Sequence, residues 1–93
     1  MADVKCFKLT SGEEVIARTE VTSERYVFDR PMAVVMVPRQ DQQGMGIQLM
    51  PYVMSNQDGE IHMKFDAILG EIPNIIPELE KEYIRLTSPI ELA

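Results

Sequence analysis

Histidine and cysteine each occur once, and no apolar run approaches the roughly 18 residues needed to cross a bilayer as a helix. One histidine, His62, rules out a His-built metal cluster, and its place among polar neighbours reads as a solvated side chain. One cysteine, Cys6, has no internal disulfide partner; flanked by Val4, Phe7 and Leu9, it reads as a buried reduced thiol. A Cys6–His62 nucleophile pair would need the fold to bring two distant positions together. Basic residues are also scarce. Nine Lys and Arg against fifteen Asp and Glu leave a net charge of −6, so any nucleic-acid site must be a local concentration of cations. The amino-terminal Met-Ala-Asp-Val-Lys lacks the basic and apolar regions of a signal peptide, which predicts a cytoplasmic protein without membrane partners.

What is present describes one folded domain over residues 1–93. A chain this short buries only about 60 to 70% of its unfolded surface and has no core left for a second unit. With 45% hydrophobic residues it has enough apolar surface to offset chain entropy. Val4 to Leu9 reads as a strand, and Gly12 supplies the positive φ of a tight hairpin into Glu13–Val21, where Val15 and Ala17 share one face, Ile16 takes the other, and Arg18 and Glu20 point out. A third strand starts at Arg25, breaks at Pro31, and continues as Met32–Val37, apolar on both faces and so expected to be covered twice. The polar stretch 39–46 reads as a protruding hairpin loop before a strand at Ile47–Met54. Ile61, Met63, Phe65, Ala67 and Leu69 alternate with His62, Lys64, Asp66 and Ile68, which predicts one half-buried strand over 61–69.

After Pro73 the period changes. Ile76, Leu79, Tyr83 and Leu86 fall on one helical face, predicting a single helix over 74–88 with Asn74 as cap, Pro77 in the first turn, acidic residues at the start, and Ser88-Pro89 as the stop. The tail Ile90–Ala93 leaves two readings open, a loose end and pairing with a neighbouring chain. No carboxylate pair, nucleophile–base set or complete glycine-rich phosphate loop is present: Gly44 and Gly46 lack the third glycine and the following helix. The expectation is a non-enzyme with no cofactor and no metal. Seven methionines leave two readings open, core filling and an adaptable contact or oligomer surface.

The segment Phe7-Lys-Leu-Thr-Ser-Gly-Glu-Glu-Val-Ile-Ala-Arg18 resembles the first motif of the Sm-like small β-barrels, an apolar-x-Leu-x-x-Gly strand and hairpin followed by a bent second strand. Asp66-Ala-Ile-Leu-Gly-Glu-Ile-Pro73 is similar to the closing strands of the bacterial Sm-like RNA chaperone. The resemblance implies a mainly β fold, a five-stranded, strongly bent barrel over 4–73, here followed rather than preceded by its helix. It also implies a ring-shaped homo-oligomer and single-stranded RNA as partner. The family's Asp-x-x-Met-Asn loop falls at Val21–Arg25, which has neither Asp nor Asn in place, and its Lys-His or Arg-Gly pair falls at Phe65-Asp66. Lys64 is displaced from that pair by one, so the family's RNA-reading side chains are not carried over; the candidates left at these positions are Arg25, Tyr26, Lys64 and Phe65, which would supply charge and a stacking surface. The Gly-Glu-Glu-Val-Ile-Ala opening, the Met-Pro-Tyr segment and the Glu-x-x-Tyr helix are similar to small proteins of marine tailed phages, which implies a host-cytoplasmic location. The rival expectation keeps the fold without RNA, as a structural or protein-interaction module using the Met-rich surface and the 39–46 loop.

Overall fold

The computed structural model describes residues 3–39, 44–55 and 59–88. The chain is mainly β, with six antiparallel strands, one 3-10 turn and a single carboxy-terminal helix among the described residues. Strands β1 (Asp3–Leu9) and β2 (Glu14–Val21) form the first hairpin, and Gly12 at its turn has φ +99°. β3 (Arg25–Pro38) is followed by β4 (Met45–Pro51), β5 (Glu60–Lys64), β6 (Ile68–Ile72) and helix α1 (Pro77–Thr87).

The strand order is β4-β3-β2-β1-β6, with β5 also on β3. β3 serves two partners end to end: Arg25–Asp29 pairs with β5 and Met32–Pro38 with β4. The sheet therefore has five lanes, one of them shared by two separate strands, which is how six strands meet an expectation of five. The change of partner occurs at a bulge, where Arg30 and Pro31 of β3 together oppose Ala17 of β2. Arg30 sits there at φ +51°, a left-handed conformation uncommon for a residue with a side chain, and its N–H donates 2.7 Å to the Gly59 carbonyl. Pro31 lacks an N–H, so the ladder loses no donor at that position. Among the described residues no strand pairing joins β6 to β4 or β5, so in place of the closed barrel expected from sequence the strands form an open sheet.

Two cores lie on opposite faces of this sheet. Phe7, Leu9, Val15, Ala17 and Phe28 form one, extended by Tyr26, Ile61, Met63 and Ile68. Cys6, Ile16, Leu49 and Tyr83 form the other, beneath α1, with Val34, Ile72 and Leu79 around them. Alternation along β2 delivers Val15 and Ala17 to the first and Ile16 to the second, all fully buried, as expected from the sequence.

Four expectations change. The strand foreseen over 61–69 ends at Lys64, because Phe65–Ala67 forms a 3-10 turn that resets the alternation; Ile68 turns into the core while Leu69 is left 70% exposed. The helix starts at Pro77 rather than at residue 74: Asn74 has φ +55° and Ile76 stands at the cap without a side-chain hydrogen bond. Met32–Val37 is half-buried rather than covered twice, with Met32 and Val34 beneath the helix face and Met36 exposed. Arg18 does not point freely into solvent; its guanidinium lies 5.4 Å from the centre of the Tyr83 ring. Residues 40–43 of the foreseen loop and the tail 90–93 lie outside the described residues.

Candidate functional site

The β2–β3 turn and the 3-10 turn after β5 meet at one end of the sheet. Thr22 closes the first by accepting the N–H groups of Glu24 at 3.2 Å and Arg25 at 3.1 Å on its hydroxyl, which also donates to the Arg25 carbonyl at 3.0 Å. The second is tied down by the Thr10 N–H, which donates to the Ala67 carbonyl at 2.9 Å. Register then sorts the side chains. Arg25 stands opposite Lys64 and Val27 opposite His62 on the outer face, while Tyr26 and Met63 turn to the core. The result is a concavity of about 430 Å³ lined by Glu24, Arg25, His62, Lys64, Phe65 and Asp66.

Three of the four residues singled out in the sequence, Arg25, Lys64 and Phe65, line this cleft. Tyr26 does not line it. Its ring belongs to an aromatic stack with Phe7 and Phe28, at centroid distances of 4.9 and 6.0 Å. It buttresses Phe65 instead, which meets it edge-on at 5.1 Å and remains 42% exposed. Phe65 thus presents a supported ring beside two cations. Glu24 and Asp66 enter the cleft as chain neighbours of Arg25 and Phe65, whereas His62 is placed there by the β3–β5 register, which a single sequence does not show.

The polar groups form a chain. Arg25 Nη2 lies 3.3 Å from Glu24 Oε1, Arg25 Nη1 lies 3.3 Å from His62 Nδ1, and His62 Nε2 lies 2.9 Å from Glu60 Oε2. Exposed pairs of this kind contribute only about 0 to 1 kcal/mol each, so the chain orients side chains more than it stabilises the fold. His62 is therefore partnered rather than simply solvated. Cys6 lies elsewhere, buried beneath the helix, where desolvation first and Glu14 second push its thiol up to about 11, so it is not an activated nucleophile. Among the described residues no cluster of three or more His, Cys, Asp or Glu side chains is arranged to hold a metal ion, and no helix is long and apolar enough to cross a membrane.

A second concavity, of about 500 Å³, lies between β4 and α1 over Ile47, Leu49, Ile76, Leu79 and Leu86, with Glu78 and Glu82 at its rim. The methionines are split: Met36, Met45, Met50 and Met54 are exposed, whereas Met32 and Met63 pack against the cores. Core filling accounts for only part of them. No protein-family model matches the chain, and no curated protein matches it at a significant level.

Proposed function

We propose that the protein is a non-enzymatic, Sm-like RNA-binding protein that takes single-stranded RNA at the cleft between the β2–β3 turn and the 3-10 turn. The observation that carries this reading is the convergence of Arg25, Lys64 and Phe65 on one concavity, with Tyr26 behind the Phe65 ring. An exposed aromatic face stacks a base, and adjacent cations neutralise its phosphate. Arg25 and Lys64 share the cleft with Glu24 and Asp66, so they serve as individual phosphate contacts rather than as a net positive patch. The two lateral edges, β4 and β6, have no outer strand among the described residues, which supports assembly of copies edge to edge into a ring. Such a ring would cover strands that otherwise invite uncontrolled pairing.

Fluorescence anisotropy with U-rich and A-rich oligonucleotides at low salt tests the binding. Saturable binding supports it, and no binding at tens of micromolar protein removes it. Light scattering tests the assembly, which a purely monomeric mass would refute. A second reading, a protein-interaction or structural module, is favoured by the apolar concavity beside α1 and the exposed methionines. Pull-downs from phage-infected cells that return proteins and no RNA would turn the balance to it.

A further inference from the structure

His62 links the cleft to acidity through its two ring nitrogens. A guanidinium has donors only, so the Arg25 Nη1 group 3.3 Å from Nδ1 requires that Nδ1 be bare and accepting. The carboxylate of Glu60 accepts only, so Nε2, 2.9 Å from it, carries the proton. The arrangement therefore selects one neutral tautomer. A second proton has only Nδ1 to occupy, and there it would point an N–H and a positive charge at the Arg25 guanidinium. The two cations cannot keep that contact, and Arg25 has Glu24 on its other side and the open cleft before it.

The surrounding charges decide which partner of the ring is displaced. On β5, Glu60 and Lys64 flank His62 on its own face; on β3, Arg25 and Asp29 share the facing strand. The turn contributes Glu24 and the 3-10 turn Asp66, while Arg18 and Glu20 of β2 line the adjoining hollow beside Glu60. Glu60 is the carboxylate in direct contact with the ring and stays paired with either charge state of it. The group displaced by protonation is Arg25.

We propose that His62 is a positioning residue for Arg25, holding its guanidinium against the cleft wall when neutral and releasing it toward a bound phosphate when protonated. The inference rests on the RNA reading for its ligand but not for its mechanics. This chain has one imidazole, so a His62→Gln comparison separates its share of any pH response from that of the amino terminus and the carboxylates. RNA affinity accordingly rises on mild acidification, with a second cation added and a first one freed.

Two measurements on the full chain test this. By ¹⁵N NMR at pH 7.5 the imidazole should carry its proton on Nε2, and the Arg25 side-chain Nε–H resonance should move with the His62 titration and stand still in His62→Gln. An Nδ1-protonated or averaging ring, or an Arg25 signal indifferent to His62, overturns the coupling. By anisotropy with labelled oligouridylate and oligoadenylate, the unaltered chain should bind several-fold more tightly at pH 5.5 than at pH 7.5, and His62→Gln should lose that gain. An equal gain in both proteins overturns the role in affinity. If neither oligonucleotide binds at either pH, the RNA reading and the affinity role fail together, while the NMR result still decides whether His62 governs Arg25.

Discussion

The Tyr83 hydroxyl accepts the backbone N–H of Arg18 at 2.9 Å and at the same time donates to the Asp29 carbonyl at 2.8 Å. Arg18 and Asp29 stand opposite each other in the β2–β3 register, next to the bulge where β3 changes partners. A phenol from the helix thus satisfies both a donor and an acceptor at the point where the ladder is interrupted. The same helix reaches the bulge again through Thr87, whose hydroxyl accepts from Arg18 Nη1 at 2.5 Å and whose carbonyl accepts from Arg30 Nη1. The bulge at which β3 passes from β4 to β5, whose pairing builds the cleft wall, is thus locked by the helix.

Replacing Tyr83 with Phe keeps the fully buried ring and removes only the hydroxyl. Two backbone groups then lose their partner, at a cost of about 1 to 3 kcal/mol each. For a domain of this size each kcal/mol lowers Tm by about 4 to 8 °C. Thermal unfolding by circular dichroism should show a loss in that range, and an unchanged Tm would mean that the bulge holds without the helix.

Cys6 predicts a pH effect of definite sign. Its thiol is raised to about 11 in the folded chain, so between pH 9 and 11 the unfolded state gives up this proton more readily and binds fewer protons than the native one. Stability is fully present below pH 9 and falls as pH rises through that window, by up to about 2 to 3 kcal/mol. Tyr83, whose phenol is also raised by burial, acts in the same sense at the upper end. Denaturant unfolding of Cys6→Ala should show a shallower alkaline decline than the unaltered chain, and identical slopes would exclude the thiol as the cause.

Much of this architecture was legible in the sequence because it is local. Val15, Ile16 and Ala17 show their opposing faces by alternation, and the three-four spacing of Ile76, Leu79 and Tyr83 marks the helix. Failures came where tertiary register decides. Nothing adjacent to Arg18 signals that its N–H is met by a phenol 65 residues away. Nothing near Phe65 signals that an apolar alternation continuing to Leu69 is interrupted by a 3-10 turn. The cleft divides in the same way: Arg25, Lys64 and Phe65 stand at or beside motif positions, whereas placing His62 opposite Val27 requires knowledge of which strand lies opposite which.

Phe65 and Lys64 separate stacking from charge in the proposed RNA site. Loss of a base-stacking ring costs about 1 to 3 kcal/mol, so Phe65→Ala should weaken oligonucleotide binding by about five-fold to over a hundred-fold at any salt concentration. Lys64→Ala should instead flatten the salt dependence, lowering the log–log slope by about 0.7 for one phosphate of a single strand no longer neutralised. Lys64 is exposed, so its loss should leave Tm nearly unchanged, whereas Phe65→Ala also gives up the edge-on contact with Tyr26 and should lower Tm by a few degrees. Anisotropy titrations across a salt series check the pair, and a Phe65→Ala protein that binds normally would remove the ring from the site.

Edge-to-edge assembly makes a further demand, because β4 and β6 are different surfaces and their union is head-to-tail. Ile47 on β4 is 53% exposed and Leu69 on β6 is 70% exposed, so a lysine at either position should spare the protomer fold while blocking one edge. Ile47→Lys and Leu69→Lys should each run as monomers in light scattering. Mixed together, they retain one intact edge apiece, the β6 edge of the first and the β4 edge of the second, and should form a dimer that cannot grow. Larger species in Leu69→Lys alone would mean that the subunits meet through another face, and the apolar hollow between β4 and α1, which Ile47 also lines, would be the next surface to test.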